Sequence, residues 1–163
     1  MARKSMKQEV TEMRRAAADV ESRRWSPARI FLLVVAVAYV PLGIVGLIVD
    51  RSFPVGSAAA ERAGSGLAFG IFETNGWHAV ASLVIAVLAV YFTVDPRRAR
   101  DAALAIGLFH VGITVSLMLW DPSTFWLASN AADQVVHASS AIGGIACGLL
   151  TRSPRAEAAL SSS

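Results

Sequence analysis

The run IFLLVVAVAYVPLGIVGLIV, residues 30–49, contains no side chain more polar than that of Tyr39. A helix on the surface of a soluble protein carries polar positions every third or fourth residue, and this run offers none. Its length matches the ~20 residues that a helix rising about 1.5 Å per residue needs to cross ~30 Å of hydrocarbon. The run therefore reads as a membrane span, and the rest of the chain is read outward from it.

Three further apolar runs follow, at residues 76–94, 102–120 and 131–150, the last diluted in its first turns by Asp133, Gln134 and His137. The whole chain of 163 residues is 55% hydrophobic with a mean hydropathy of +0.52, above the roughly 45–50% apolar usage of soluble domains. The expected fold is all-α: an integral membrane bundle of four transmembrane helices occupying residues 28–151. A basic tail, 1–27, precedes it, and a short disordered tail, 152–163, follows.

Net charge is +3 and the isoelectric point is about 9.6, which raises the question of a nucleic-acid partner. The placement of the cations answers it. Of the 15 Lys and Arg residues, only Arg51 and Arg62 fall on the side of the first and third connections; the others lie in the two tails, at Arg29, or in the second connection. The positive-inside rule then places both termini in the cytoplasm, in a multi-pass protein of the cytoplasmic membrane. No basic patch interleaved with aromatics is left over, so no nucleic-acid partner is expected. Trp77, Trp120 and Trp126 map to the outer boundary and Trp25 to the inner one, where indole rings prefer to sit. A polar lead of about 29 residues and an apolar run of ~20 are both too long for a cleaved signal peptide, so the first helix is expected to remain as an anchor.

In the basic tail, Met6, Val10, Met13, Ala17 and Val20 form one narrow apolar stripe at helical spacing. It suits an amphipathic helix lying on anionic headgroups or a seam for a partner helix. The long first connection, residues 50–74, contains an apolar patch, Leu67 to Phe72, too short to span and suited to the interface or to a re-entrant dip. The other two connections open with Asp95-Pro96 and Asp121-Pro122, which stop helices and make sequential helices antiparallel neighbours.

Polar side chains inside spans should face protein rather than lipid. Helix two places His78, Ser82, Ala86, Ala89 and Thr93 on one side; helix three aligns Ala103, Gly107, His110 and Thr114; helix four aligns Asp133, His137, Ser140, Gly144 and Gly148. Ser140, Gly144 and Gly148 form a small-residue ladder for close helix packing, within the chain or in a homo-oligomer. Asn75 stands where it can cap helix two, with His78 one turn later directed at the Asp133/His137 entrance of helix four.

Three histidines on three helices invite a metal or haem site, because neutral imidazole ligates both. Counted along the helices, His110 lies ~15 Å below the outer end and His137 ~6–9 Å, a gap that weakens a site shared by all three without excluding it and favours His78 with His137 as the pair. The plainer reading is a hydrogen-bonded cluster in which Asn75 and Asp133 accept from helix N–H groups and the histidines bond to Thr114, Ser140 or backbone carbonyls. No cofactor is required by the sequence. Cys147 is the single cysteine, which excludes disulfide and zinc-knuckle frameworks within the chain. No HExxH, CxxC, nucleophile elbow or Walker loop names a reaction.

The stretches GIFETNGWHAV, residues 70–80, and NAADQVVHASSAIGG, residues 130–144, resemble the two signature segments of a bacterial, largely actinobacterial, membrane family, domain of unknown function 4383. The resemblance covers roughly residues 28–151. Phe72, Asn75 and His78 match its first motif, while Ala79 and Ser82 stand where an asparagine and a second histidine are expected. Asn130, Asp133 and His137 match the second. The resemblance implies four helices and a shared role for Asn75, His78, Asp133 and His137, and it implies no activity. A non-enzymatic membrane component or accessory subunit with an outer polar cluster of Asn75, His78, His110, Asn130, Asp133 and His137 is the function expected. The alternative is a small redox or transport protein binding haem, metal, quinone or protons.

Overall fold

The structure, a computed structural model, describes residues 6, 8–13, 25–58, 66–119 and 126–151. Four long helices dominate it: α1 (Pro27–Val49), α2 (Gly76–Thr93), α3 (Pro96–Leu119) and α4 (Ala131–Leu150). The two-residue strands β1 (Leu67–Ala68) and β2 (Phe72–Glu73) pair antiparallel ahead of α2. Among the described residues, α1, α2 and the Arg98–Leu119 part of α3 are three helices long and apolar enough to cross a membrane. It is a multi-pass membrane protein. The expected spans coincide with these helices to within a few residues, except that α3 begins at Pro96 rather than at 102.

Local chemistry sets the helix ends. Ser26 caps α1 by accepting from Arg29 N–H at 3.3 Å, and Pro27 follows at the first turn, where its missing N–H costs nothing. Asn130 and Asp133 form a reciprocal capping box at the start of α4. At the end of the molecule bearing the start of α1 and the end of α4, the Ala28 N–H donates to the Thr151 hydroxyl, which donates in turn to Cys147 O. Arg29 Nε there donates to Thr93 O, the last turn of α2. The opposite end, carrying the hairpin and residues 126–130, is called the mouth.

Small residues decide which helices touch. A Cβ on Gly43 of α1 would lie 2.9 Å from Ala79 O of α2, and one on Gly46 would lie 2.9 Å from Ala79 Cβ. A Cβ on Gly144 of α4 would lie 2.7 Å from Gly107 Cα of α3. α1 thus packs closely on α2 and α3 on α4, and α1 also reaches both α3 and α4. α2 and α3 also touch, but more loosely. Their facing positions are occupied by Leu88, Phe92, Ile106 and Phe109, side chains that hold the backbones apart and leave an apolar groove of about 300 Å³. The Ser140, Gly144, Gly148 ladder is filled from within the chain, by Ala103, Leu104 and Gly107.

Met6 and residues 8–13 are helical with Met6, Val10 and Met13 exposed; Ala17 and Val20 of that stripe lie outside the described residues, as do Trp120 and the tail from 152 onward.

Candidate functional site

The polar residues of the mouth converge on the backbone of its extended segments. Asn75 caps α2, its side-chain oxygen accepting from His78 N–H at 2.9 Å, while its amide donates to Trp126 O at 2.7 Å. Asp133 Oδ2 accepts from Asn130 N–H at 2.9 Å and from Glu73 N–H at 3.0 Å. His78 Nδ1 donates to Glu73 O at 3.0 Å and to Ala128 O at 2.7 Å. The amide N–H and the carbonyl of Glu73 are therefore held by two different helices, α4 and α2. Asn130 completes the arrangement by donating from its amide to Ile71 O at 2.7 Å.

These bonds fix the hairpin as a cover. Leu67 to Phe72, the apolar patch of the first connection, forms the hairpin: Ala68 is buried, while Leu67, Phe69 and Ile71 remain exposed. Its turn has positive φ at both Phe69 (54°) and Gly70 (72°), as hairpin turns of type I′ require. Phe69 adopts this region with its ring 55% exposed, and Trp126, the other described non-glycine residue with positive φ, lies at the same rim. The Trp77 ring lies 5.0 Å from Phe53 and 5.9 Å from Trp126, and its Nε1 donates to Pro54 O at 3.1 Å. Gly76 has no room for a side chain, because a Cβ would lie 2.6 Å from Ser52 O, the acceptor of its N–H.

Behind the cover the three imidazoles form a row. The rings of His78 and His137 stack with centroids 5.8 Å apart, and His137 lies 5.6 Å from His110. The depth count had separated His110 from His137; the Gly107–Gly144 contact slides α3 along α4 so that the two rings meet. His110 is fully buried, with Nδ1 donating to Ile106 O at 2.7 Å. A carbonyl only accepts, so Nδ1 carries the proton, and in a neutral ring Nε2 accepts from the Tyr39 hydroxyl at 2.7 Å. Tyr39 oxygen then accepts from Ser140 Oγ at 3.0 Å. Thr114, expected as a histidine partner, has a buried hydroxyl that bonds to no protein atom. Tyr39 and the backbone of Glu73 are the participants that sequence reasoning passed over. Tyr39 had a signal, as the one hydroxyl in an otherwise apolar span.

Both nitrogens of His110 are engaged, the ring planes of His78 and His137 lie 27° apart in a stack, and the described residues contain no group of three or more His, Cys, Asp or Glu placed to hold a metal. A narrow cavity of about 20 Å³ lies under the hairpin, lined in part by Tyr39, Ser82, Asp133 and His137. Ser82 occupies this lining with a small side chain, where the resemblance leads one to expect a histidine.

The family description "Domain of unknown function (DUF4383)" matches residues 29–150, and the chain belongs to this family. No curated protein and no solved structure matches it. The matched region contains all four long helices from Arg29 onward and every residue of the mouth described above.

Proposed function

We propose that this member of the DUF4383 family is a non-enzymatic component of the cytoplasmic membrane, an accessory subunit whose mouth residues are a structural latch. All four helices span, both termini lie in the cytoplasm, and the mouth faces outward. The distribution of cations supports that orientation, with only Arg51 and Arg62 on the mouth side. The single observation that carries the latch is the backbone of Glu73, whose N–H is bonded to Asp133 and whose carbonyl is bonded to His78. Residues that recognise a substrate present polar atoms to an open space; here the Asn75 and Asn130 amides, His78 Nδ1 and Asp133 Oδ2 are bonded to the chain's own backbone. The exposed Met6, Val10 and Met13 stripe suits anionic headgroups or a helix of a larger complex.

Two measurements test this reading. In a Cys147→Ser background, Ser57→Cys in the first connection should react with a membrane-impermeant maleimide from outside intact cells; reaction only after permeabilisation would reverse the topology. Backbone hydrogen exchange should find the Glu73 amide protected in the wild type and unprotected in Asp133→Ala. Equal exchange in the two proteins would end the latch account.

The row of His78, His137 and His110 favours a second reading, a small redox or transport protein handling haem, metal, quinone or protons. The visible spectrum and metal content of the detergent-purified protein separate the two readings. A haem band or stoichiometric metal would establish the second; a colourless, metal-free protein would leave it only quinone and proton transfer.

A further inference from the structure

Beneath the latch, one buried atom is left unmet by the protein. His137 is 8% exposed, and its Nδ1 is buried without a protein hydrogen-bond partner. The residue lines the cavity of about 20 Å³ under the hairpin, together with Asp133 and His78. A water molecule needs ~10–15 Å³ of such room and two to four polar neighbours, whereas a quinone ring or any polyatomic substrate needs far more. Size and chemistry agree on one occupant.

We propose that the cavity binds a single water molecule, through which His137 exchanges its ring proton with the aqueous phase at the mouth, and that exchange stops there. Asp133, Glu73, His78 and Tyr39 are the titratable groups around the cavity, and His110 lies beyond the His137 ring. The exchange is neutral: one proton leaves the ring for the water and another returns, so no net charge is left within the protein. Asp133, an acceptor at the same cavity, supplies the water with a second partner. His110 takes no part, because it is fully buried and both its nitrogens are held, by Ile106 O and by the Tyr39 hydroxyl. The row of rings is thus a port with a closed inner end. The site does not depend on which side of the membrane the mouth faces.

The test uses the full chain, labelled with ¹⁵N-histidine, in lipid bilayers, and reads proton transfer from water to each imidazole by solid-state NMR, the signals being assigned by removing one histidine at a time. A water signal is expected at His137 in spite of its burial, and none at His110. Ser82→Leu, which fills the cavity with apolar atoms, should abolish the His137 signal. A silent His137 in the wild type, a His110 signal as strong as that of His137, or a His137 signal that survives in folded Ser82→Leu protein would each overturn the proposal. The contrast between His137 and His110 in the wild type decides the matter even if Ser82→Leu does not fold.

Discussion

The two polar clusters of this protein differ in what they hold. At the mouth, Asn75, His78, Asn130 and Asp133 bond to main-chain groups of the hairpin and of residues 126–130. In the middle of the bundle, Tyr39 bonds to the side chains of His110 and Ser140 on two other helices. The first arrangement dictates the path of segments that have almost no regular structure of their own. The second dictates how three helices already formed are rotated about one another. Polar residues at the mouth and polar residues in the middle of the bundle thus solve different problems, and removing them should have unequal costs.

The largest effect should come from the mouth. Asp133→Ala removes the acceptor of the half-buried Asn130 amide and of the buried Glu73 amide, and at ~1–3 kcal/mol for each unmet group the loss should reach about 2–6 kcal/mol. Thermal unfolding in detergent should register it as a large fall in midpoint. His78→Ala should act on the backbone of the same residue, so the double variant should lose less than the sum of the single losses. Strict additivity would show that the two helices do not hold Glu73 together.

The middle should yield less. Tyr39→Phe removes one hydroxyl shared by His110 and Ser140, and interhelical hydrogen bonds in membranes are worth ~0.6–1.7 kcal/mol. Equilibrium unfolding that found Tyr39→Phe more damaging than Asp133→Ala would invert the comparison. The smallest effect, of opposite sign, belongs to the hairpin tip. Phe69→Gly relieves a side chain held at φ 54° while giving up a ring that is already half exposed, and should raise stability by up to about 1 kcal/mol. A loss on this substitution would mean that the exposed ring makes contacts that stabilise the protein in the membrane.

The sequence reveals the parts of this structure that depend on a single helix. Span lengths follow from the apolar runs, and the buried faces of α2 and α4 follow from helical spacing, because Ser82, Ala86, Ala89 and Thr93 on one and His137, Ser140, Gly144 and Gly148 on the other recur every three or four residues. Relations between helices are harder to read. The meeting of His110 with His137 depends on how far α3 slides along α4, which is set by the contact of Gly107 with Gly144; counting residues from the helix ends assumes that the ends are level. The groove between α2 and α3 arises because Gly43 and Gly46 draw α2 onto α1, a preference that a short loop does not reveal. The hairpin escaped notice because Phe69 is a poor residue for a turn needing positive φ, and it is tolerated there under the bonds from Asn130 and Asp133.

The latch grips peptide groups, and this divides the mouth into residues that hold and residues that are held. Ile71, Trp126 and Ala128 contribute carbonyl oxygens, which every amino acid possesses. The bonds themselves make no demand on the side chains at these three positions. Asn75, His78, Asn130 and Asp133 have no such freedom, because only their side chains make the bonds. The latch thus rests on four scattered polar side chains and leaves the surface it secures free to take many forms.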